Sequence, residues 1–375
     1  MNNLVELLKY GQSYWLDNLT RKMIKDGSLK EMVEKQGLRG QTSNPAIFHN
    51  AITKSNDYDG QIAELAKAGK STREIYEELV IQDVRDACDI FKPVYEESNG
   101  VDGYVSLEVS PLLARHGVET LYEARDLFAR VDRPNLMIKI PGTLEGLYAI
   151  EEALYEGINI NVTLLFSVES YEAVARTYIK ALQRRKAEGL PVNNIASVAS
   201  FFISRIDTLV DQLLGHRILE GSDNEYSRKA QSLQGEAALA SGKLAYQSFK
   251  KIFSGPEWEE LAALGARVQR PLWASTSTKN PQYSDVLYVE PLIGPDTVNT
   301  MPDNTIAAFA DHGKLAENTI EQDVDAAQAT FAALKELGID MAYVAQRLED
   351  EGIQKFIDPF GKLLNSIEEK AQQYK

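Results

Sequence analysis

Residues 135–140 read NLMIKI, and the charge of Lys139 stands in the middle of an otherwise apolar strand-like run. Strands of an all-parallel sheet are covered on both faces and usually read as nearly continuous apolar segments. Successive side chains of a strand point to opposite sides, so Leu136, Ile138 and Ile140 share one face here and Met137 and Lys139 the other. Neighbouring runs repeat the pattern. In 104–110, Val105, Leu107 and Val109 oppose Tyr104, Ser106, Glu108 and Ser110. In 158–165, Ile158, Ile160, Val162 and Leu164 oppose Asn159, Asn161, Thr163 and Leu165. Trp15 and Asp17 share a face of the run at 12–17.

Eight runs of this length qualify as strands, near 12–17, 38–43, 102–109, 135–140, 158–165, 196–202, 270–276 and 286–291. Between them lie helical patterns. Ser71 and Glu74 form a capping-box signature ahead of an apolar stripe of Ile75, Leu79, Val80, Val84, Cys88 and Phe91. Tyr171, Val174, Ala175, Tyr178 and Leu182 make a second stripe, and Val324, Ala327, Phe331 and Leu334 a third that Gly338 stops. Strands alternating with helices favour a parallel sheet, and eight such units predict an α/β fold of the (β/α)8 TIM-barrel type. An open doubly wound sheet is the alternative. The barrel reading makes residues 1–375 a single domain, with helical insertions near 46–100 and 206–268 and a helical tail after about 296.

In a barrel the apolar faces meet the helix layer, so Asp17, Glu108, Lys139, Asn161 and Thr163 converge on the lumen. An unsatisfied buried polar group costs about 1–3 kcal/mol, and a charged one more. An antiparallel sheet with one solvated face would explain the alternation at no such cost, but the intervening helices disfavour it. Enclosure by apolar neighbours disfavours a lysine's ammonium form, and the neutral amine attacks ketones to form a Schiff base. That reaction needs a carboxylate to move protons, and amides or hydroxyls to orient substrate and water. The lumen set supplies each. From pattern alone, Lys139 reads more readily as one half of a structural ion pair than as a nucleophile.

The segment around Lys139 (NLMIKIPGT, 135–143) and the following GININVTLLFS (157–167) resemble the Schiff-base region of transaldolases. The resemblance continues through RGQTSNPAIF (39–48), VSLEVSP (105–111), SFFISRID (200–207), LWASTSTKNP (272–281) and IGPDTVNTMP (293–302), in the family's order and over most of the chain. It implies that Lys139 forms the Schiff base with a ketose phosphate. Asp17 would take and return the proton of the hydroxyl at the carbon released. Glu108 would move protons through a water that Thr163 helps to hold. Asn44 and Asn161 would bind the dihydroxyacetone hydroxyls, Phe202 would lie beside the Schiff base, and Ser200, Arg205 and a cation near Ser277 would receive the phosphate. Many transaldolases carry arginine in a Ser-Phe-Arg-Asn segment where this chain has Ser277-Thr278-Lys279-Asn280. Lysine keeps the charge but loses the bidentate fork, so Lys279 is the candidate ligand, with Arg270 or Arg205 as substitutes. The implied reaction moves a dihydroxyacetone unit from sedoheptulose 7-phosphate to glyceraldehyde 3-phosphate, in the non-oxidative pentose phosphate pathway.

Each residue also has a plainer reading. Asp17 could cap a helix, Asn44 before Pro45 could be turn chemistry, Arg205 and Asp207 could open a solvated helix, and Ser200 could satisfy a backbone carbonyl. Two other functions compete. A fructose 6-phosphate aldolase would release dihydroxyacetone to water, but its type resembles this chain with glutamine and tyrosine in place of Glu108 and Phe202. A silent sugar-phosphate binder would have no use for the Asp17–Glu108–Lys139 set.

Composition narrows the partners. With 55 acidic against 40 basic residues and a net charge of −15, general nucleic-acid binding and adhesion to anionic membranes are disfavoured. A single cysteine, Cys88, leaves no intramolecular disulfide. No apolar run reaches transmembrane length and no signal peptide is evident, so a cytoplasmic enzyme is expected, either a monomer or a homodimer. Its partners are sugar phosphates. No metal or other cofactor is expected, because the iminium itself withdraws electrons and the four histidines are scattered. Gly69-Lys70-Ser71 is not a P-loop, since Glu64 stands where its leading glycine belongs.

Overall fold

The strands pair in sequence order, and the last closes on the first. In the computed structural model, which describes residues 2–220 and 225–374, the strands are β1 (Gln12–Asp17), β2 (Gln41–Thr42), β3 (Val105–Glu108), β4 (Leu136–Pro141), β5 (Ile160–Leu165), β6 (Ser197–Phe202), β7 (Arg270–Ala274) and β8 (Thr297–Met301). All pairs are parallel and form one closed barrel, so the open-sheet and antiparallel alternatives fail. The extra helices lie mainly after β2 (Pro45–Thr53, Asp59–Lys67, Thr72–Glu97) and after β6, from Ser204–Glu220 to Pro256–Ala262. These are the stretches expected near 46–100 and 206–268, of which 221–224 lie outside the described residues. Ser71 and Glu74 form the reciprocal capping box, and all three apolar stripes lie on helices.

The eighth strand is displaced. The run at 286–291 forms turns leading into a 3-10 helix at Glu290–Leu292, and β8 follows at 297–301. Val286, Tyr288 and Val289 are buried as expected of an apolar run, but as a turn segment packed on the barrel. The helical tail therefore begins after Met301, with Asp303–His312, and not after 296.

The alternation also breaks once. Between Val162 and Leu165 the β5–β6 register shifts, and Leu164 takes the left-handed conformation at φ +63°. A bulge adds one residue and re-aims the side chains after it. Leu165 thus rejoins the face of Val162, both packing at Gly142, while Leu164 meets Gly352 of the C-terminal helix Met341–Gln372.

The N-terminal end of the barrel is closed by a buried ionic cluster. Asp102 accepts hydrogen bonds from Ser13 Oγ (2.7 Å), Trp15 Nε1 (3.1 Å) and Arg270 Nη1 (3.0 Å), and Arg270 Nη2 donates to Thr297 O at 2.7 Å. This joins β1, β7, β8 and the approach to β3. Arg270 is committed here, at the opposite end from the strands' C-termini, so it is not the phosphate ligand considered as an alternative. Among the described residues, no helix is long and apolar enough to cross a membrane.

Candidate active site

The C-terminal ends of the strands surround a cleft with about 710 Å³ of empty space, its mouth included. Its wall holds Asp17 from β1, Thr42 from β2, Asn44 after β2, Lys139 from β4, Ser200 and Phe202 from β6, Arg205 at the start of the next helix, and Ser277 and Lys279 after β7. Seven of the ten residues singled out in the sequence are thus on one surface: Asp17, Asn44, Lys139, Ser200, Phe202, Arg205 and Lys279. Active sites of this fold are built at this end, where the loops leave the strands.

Glu108, Asn161 and Thr163 stand behind that wall. Parallel register sets Glu108 beside Lys139 and Lys139 beside Asn161, because each occupies the lumen face at the same level of its strand. Lys139 is 4% and Glu108 6% exposed, and Nζ lies 3.5 Å from Glu108 Oε2 while donating to Ser43 O at 3.3 Å. Burial is the dominant influence on Glu108. It pushes the carboxyl up to about 7 against the opposing pull of Lys139, and the negative charge of Asp17 adds to the rise. Beyond the Lys139 contact, neither Glu108 oxygen nor the Thr163 hydroxyl has a hydrogen-bond partner among the described residues. Asn161 donates to Ser106 Oγ (3.0 Å) and accepts from Ser200 Oγ (2.7 Å), so Ser200 orients an amide rather than serving a backbone carbonyl.

Asp17 caps no helix; Thr20 does that for the segment starting at Arg21. Its Oδ1 accepts from Thr42 Oγ1 at 2.8 Å, and Thr42 Oγ1 lies 2.7 Å from Thr300 Oγ1. Thr42 has one proton, which goes to Asp17, so Thr300 must be the donor to Thr42. Burial raises the Asp17 carboxyl above its ordinary value, opposed first by Lys139, then by the Thr42 hydrogen bond, then by Arg205 and Lys279. Asn44 fits both of its readings. Its Oδ1 caps the helix Pro45–Thr53 by accepting from Ala46 N and Ile47 N, and Pro45 takes the first position, which needs no donor. The amide nitrogen is not used by that cap, and the residue lines the cleft.

Two cations mark the mouth. Arg205 stacks over Phe202, 5.2 Å from the ring centroid, and its buried Nη1 has no hydrogen-bond partner among the described residues. Asp207, two residues on, is instead structural, accepting from Ala238 N (2.7 Å) and Tyr288 Oη (2.8 Å). Lys279 is exposed as a residue but reaches the Ser277 hydroxyl on the cleft wall. Loss of solvent around the amine and the like charge of Arg205 lower its ammonium value, and Asp17 opposes the shift.

The sequence reading did not find Thr42, Thr300, Ser275 or Phe356. The two threonines sit in short or polar strands with no apolar signal. Ser275 lines the cleft at φ +55°, a strained conformation for a residue with a side chain, and nothing local announces it. Phe356 comes from the C-terminal helix, far away in sequence.

The family model for transaldolase and fructose-6-phosphate aldolase matches residues 14–367. The chain is 50% identical over 374 residues to a transaldolase of Trichodesmium erythraeum, covering 99% of this chain and 98% of that one. It is 51% identical to transaldolase 2 of Nostoc punctiforme, with the same coverage, and 47% identical to a transaldolase of Thiobacillus denitrificans, covering 98% of this chain and all of that one. A buried lysine paired with a carboxylate at the mouth of a closed barrel, together with these similarities along nearly the whole chain, places the chain in the transaldolase family.

Proposed function

We propose that the chain catalyses the transaldolase reaction, carrying a dihydroxyacetone unit from sedoheptulose 7-phosphate to glyceraldehyde 3-phosphate through a Schiff base on Lys139. The observation that carries this reading is the buried contact of Lys139 Nζ with Glu108, in a cleft that also holds Asp17 and two cations.

The Lys139 amine adds to the ketone carbon of the donor, and the resulting carbinolamine loses water to give an iminium ion. Glu108 moves the protons of that step. A carboxyl raised to about 7 is close to evenly divided between acid and base at neutral pH, so it can both give and accept a proton. The Thr163 hydroxyl and the Glu108 oxygen turned away from Lys139 together offer groups to hold the water involved. Asp17 then takes the proton of the hydroxyl on the carbon next to the bond that breaks. The bonding electrons flow into the iminium, which becomes an enamine, and erythrose 4-phosphate leaves. Glyceraldehyde 3-phosphate takes its place, the enamine carbon attacks its aldehyde, and Asp17 returns the proton to the new hydroxyl. Water then hydrolyses the iminium to free fructose 6-phosphate and the amine.

Asn44 and the Ser200–Asn161–Ser106 chain orient the hydroxyls of the three-carbon unit, and Phe202 flanks it. Arg205 and Lys279 receive the phosphate at the mouth, each free of a carboxylate partner in the cleft wall at bonding distance. The test is turnover of sedoheptulose 7-phosphate with glyceraldehyde 3-phosphate, followed by product analysis. Formation of erythrose 4-phosphate and fructose 6-phosphate in equal amounts supports the reading, and release of free dihydroxyacetone as the main product overturns it in favour of an aldolase.

A further inference from the structure

One wall of the cleft comes from outside the barrel and takes no part in the steps above. Phe356, on the C-terminal helix, is 4% exposed, lines the cleft, and holds its ring centroid 5.7 Å from Lys139 Nζ. The helix is brought there by two local features. Gly352, one turn before Phe356 on the same buried stripe, lets helix and barrel approach closely: a Cβ there would lie 2.9 Å from Leu164 Cδ2 and 3.6 Å from the Phe166 ring. Leu164 is the left-handed residue at the register shift of β5, turned out of the strand's alternation toward this helix. Further along, Phe360 packs edge-on against Tyr76 at 5.3 Å, and Lys370 pairs with Asp59 at 2.5 Å. Phe166 continues the apolar side of the site to Phe202, with ring centroids 5.3 Å apart. Lys139 is therefore polar on the side of Glu108 and Ser43 and aromatic on the side of Phe356.

We propose that Phe356 is a positioning residue that keeps water from the carbon–nitrogen bond formed at Lys139, and so sets how often the bound three-carbon unit passes to an aldehyde instead of to water. This inference rests on the Schiff-base reading above. After donor cleavage the enamine has two fates. Its carbon can attack an acceptor aldehyde, which is transfer. Alternatively a proton can add to that carbon, giving an iminium; water then adds to the iminium carbon with loss of a proton, and the carbon–nitrogen bond breaks to release dihydroxyacetone and the Lys139 amine. The net second path consumes one water and no other reactant. A phenyl ring on this side, its centroid 5.7 Å from the nitrogen, cannot hydrogen-bond an attacking water. Transfer also ends in hydrolysis, but only once the acceptor fills the cleft, whereas loss to water occurs while the acceptor place is open.

The test uses the full chain with Phe356→Ala, Phe356→Leu and Phe356→Gln. Two rates are measured from fructose 6-phosphate: release of free dihydroxyacetone without acceptor, and transfer to erythrose 4-phosphate. Their ratio should rise about tenfold in the alanine and glutamine variants, which admit water, and stay near the parent value in the leucine variant, which remains apolar. The leucine–glutamine pair, similar in length, carries the comparison if the alanine variant does not fold. A fall in both rates with an unchanged ratio in the glutamine variant means that Phe356 only supports the fold, and overturns the inference. Borohydride trapping separates the two failures. No adduct on Lys139 in the parent chain sinks the Schiff-base reading itself, whereas adducts in every variant with one common ratio sink only the role of Phe356.

Discussion

Replacing Thr42 by valine removes the hydroxyl that donates to Asp17 Oδ1 at 2.8 Å and leaves the shape of the side chain almost unchanged. Burial raises the Asp17 carboxyl, and this hydrogen bond is one of the interactions that hold the rise in check. A hydrogen bond to a charged group contributes about 1.5–3 kcal/mol, so its loss removes that much stabilisation from the Asp17 carboxylate and moves the group further upward. The sign follows from which form is stabilised. Thr42 donates to the carboxylate, so without it the acid form gains and the proton is released only at higher pH. Donor cleavage requires the carboxylate to accept a proton. The acid limb of kcat for sedoheptulose 7-phosphate with glyceraldehyde 3-phosphate is therefore displaced to higher pH, while the plateau above it is retained. Well below the limb, where the rate follows the carboxylate fraction, that loss makes the variant about ten- to a hundredfold slower. Thr300 donates to Thr42 and not to Asp17, so Thr300→Val shifts the limb in the same direction by less. An acid limb that stays in place or moves to lower pH refutes this account of Asp17.

Other consequences are open to direct measurement. Glu108→Gln cannot give and take a proton, and formation of the borohydride-trapped adduct should slow by about 10²–10⁴-fold at neutral pH with the adduct still on Lys139. Lys279→Met should raise KM for phosphorylated donors about tenfold and leave kinetics with unphosphorylated fructose little changed, while Lys279→Arg restores the KM; an equal effect on both donors removes Lys279 from phosphate binding. Asp102→Asn leaves the Arg270 guanidinium buried without its counter-charge and should lower unfolding free energy by about 3–5 kcal/mol in urea titrations, with KM unaffected because the cluster lies at the far end of the barrel.

The barrel and half of the cleft were legible because the polar lumen face interrupts strands that a parallel sheet would otherwise make apolar throughout. Lys139 in NLMIKI and Glu108 in VSLE carry that signal locally, and parallel register then makes them neighbours without further information. The same rule misplaced β8. The run at 286–291 is apolar enough to pass for a strand, whereas TVNTM at 297–301 is polar on both sides of Val298 and lies between Pro295 and Pro302. Its Thr300 is at once the reason it looks weak and the reason it matters. Arg270 shows the opposite difficulty: an arginine at a strand start gives no sign of which end of the barrel it serves, and only the Asp102 contact decides it. Phe356 was invisible for a different reason. A phenylalanine on an amphipathic stripe reads as core, and only the approach of Gly352 to Leu164 turns that stripe onto Lys139.

The central claim concerns a covalent bond to one nitrogen. Treatment of the protein with fructose 6-phosphate and borohydride, followed by peptide mass mapping, should place a reduced dihydroxyacetone adduct on Lys139 and abolish turnover in proportion to its formation. Turnover that survives this treatment, or an adduct found only on other lysines, contradicts it.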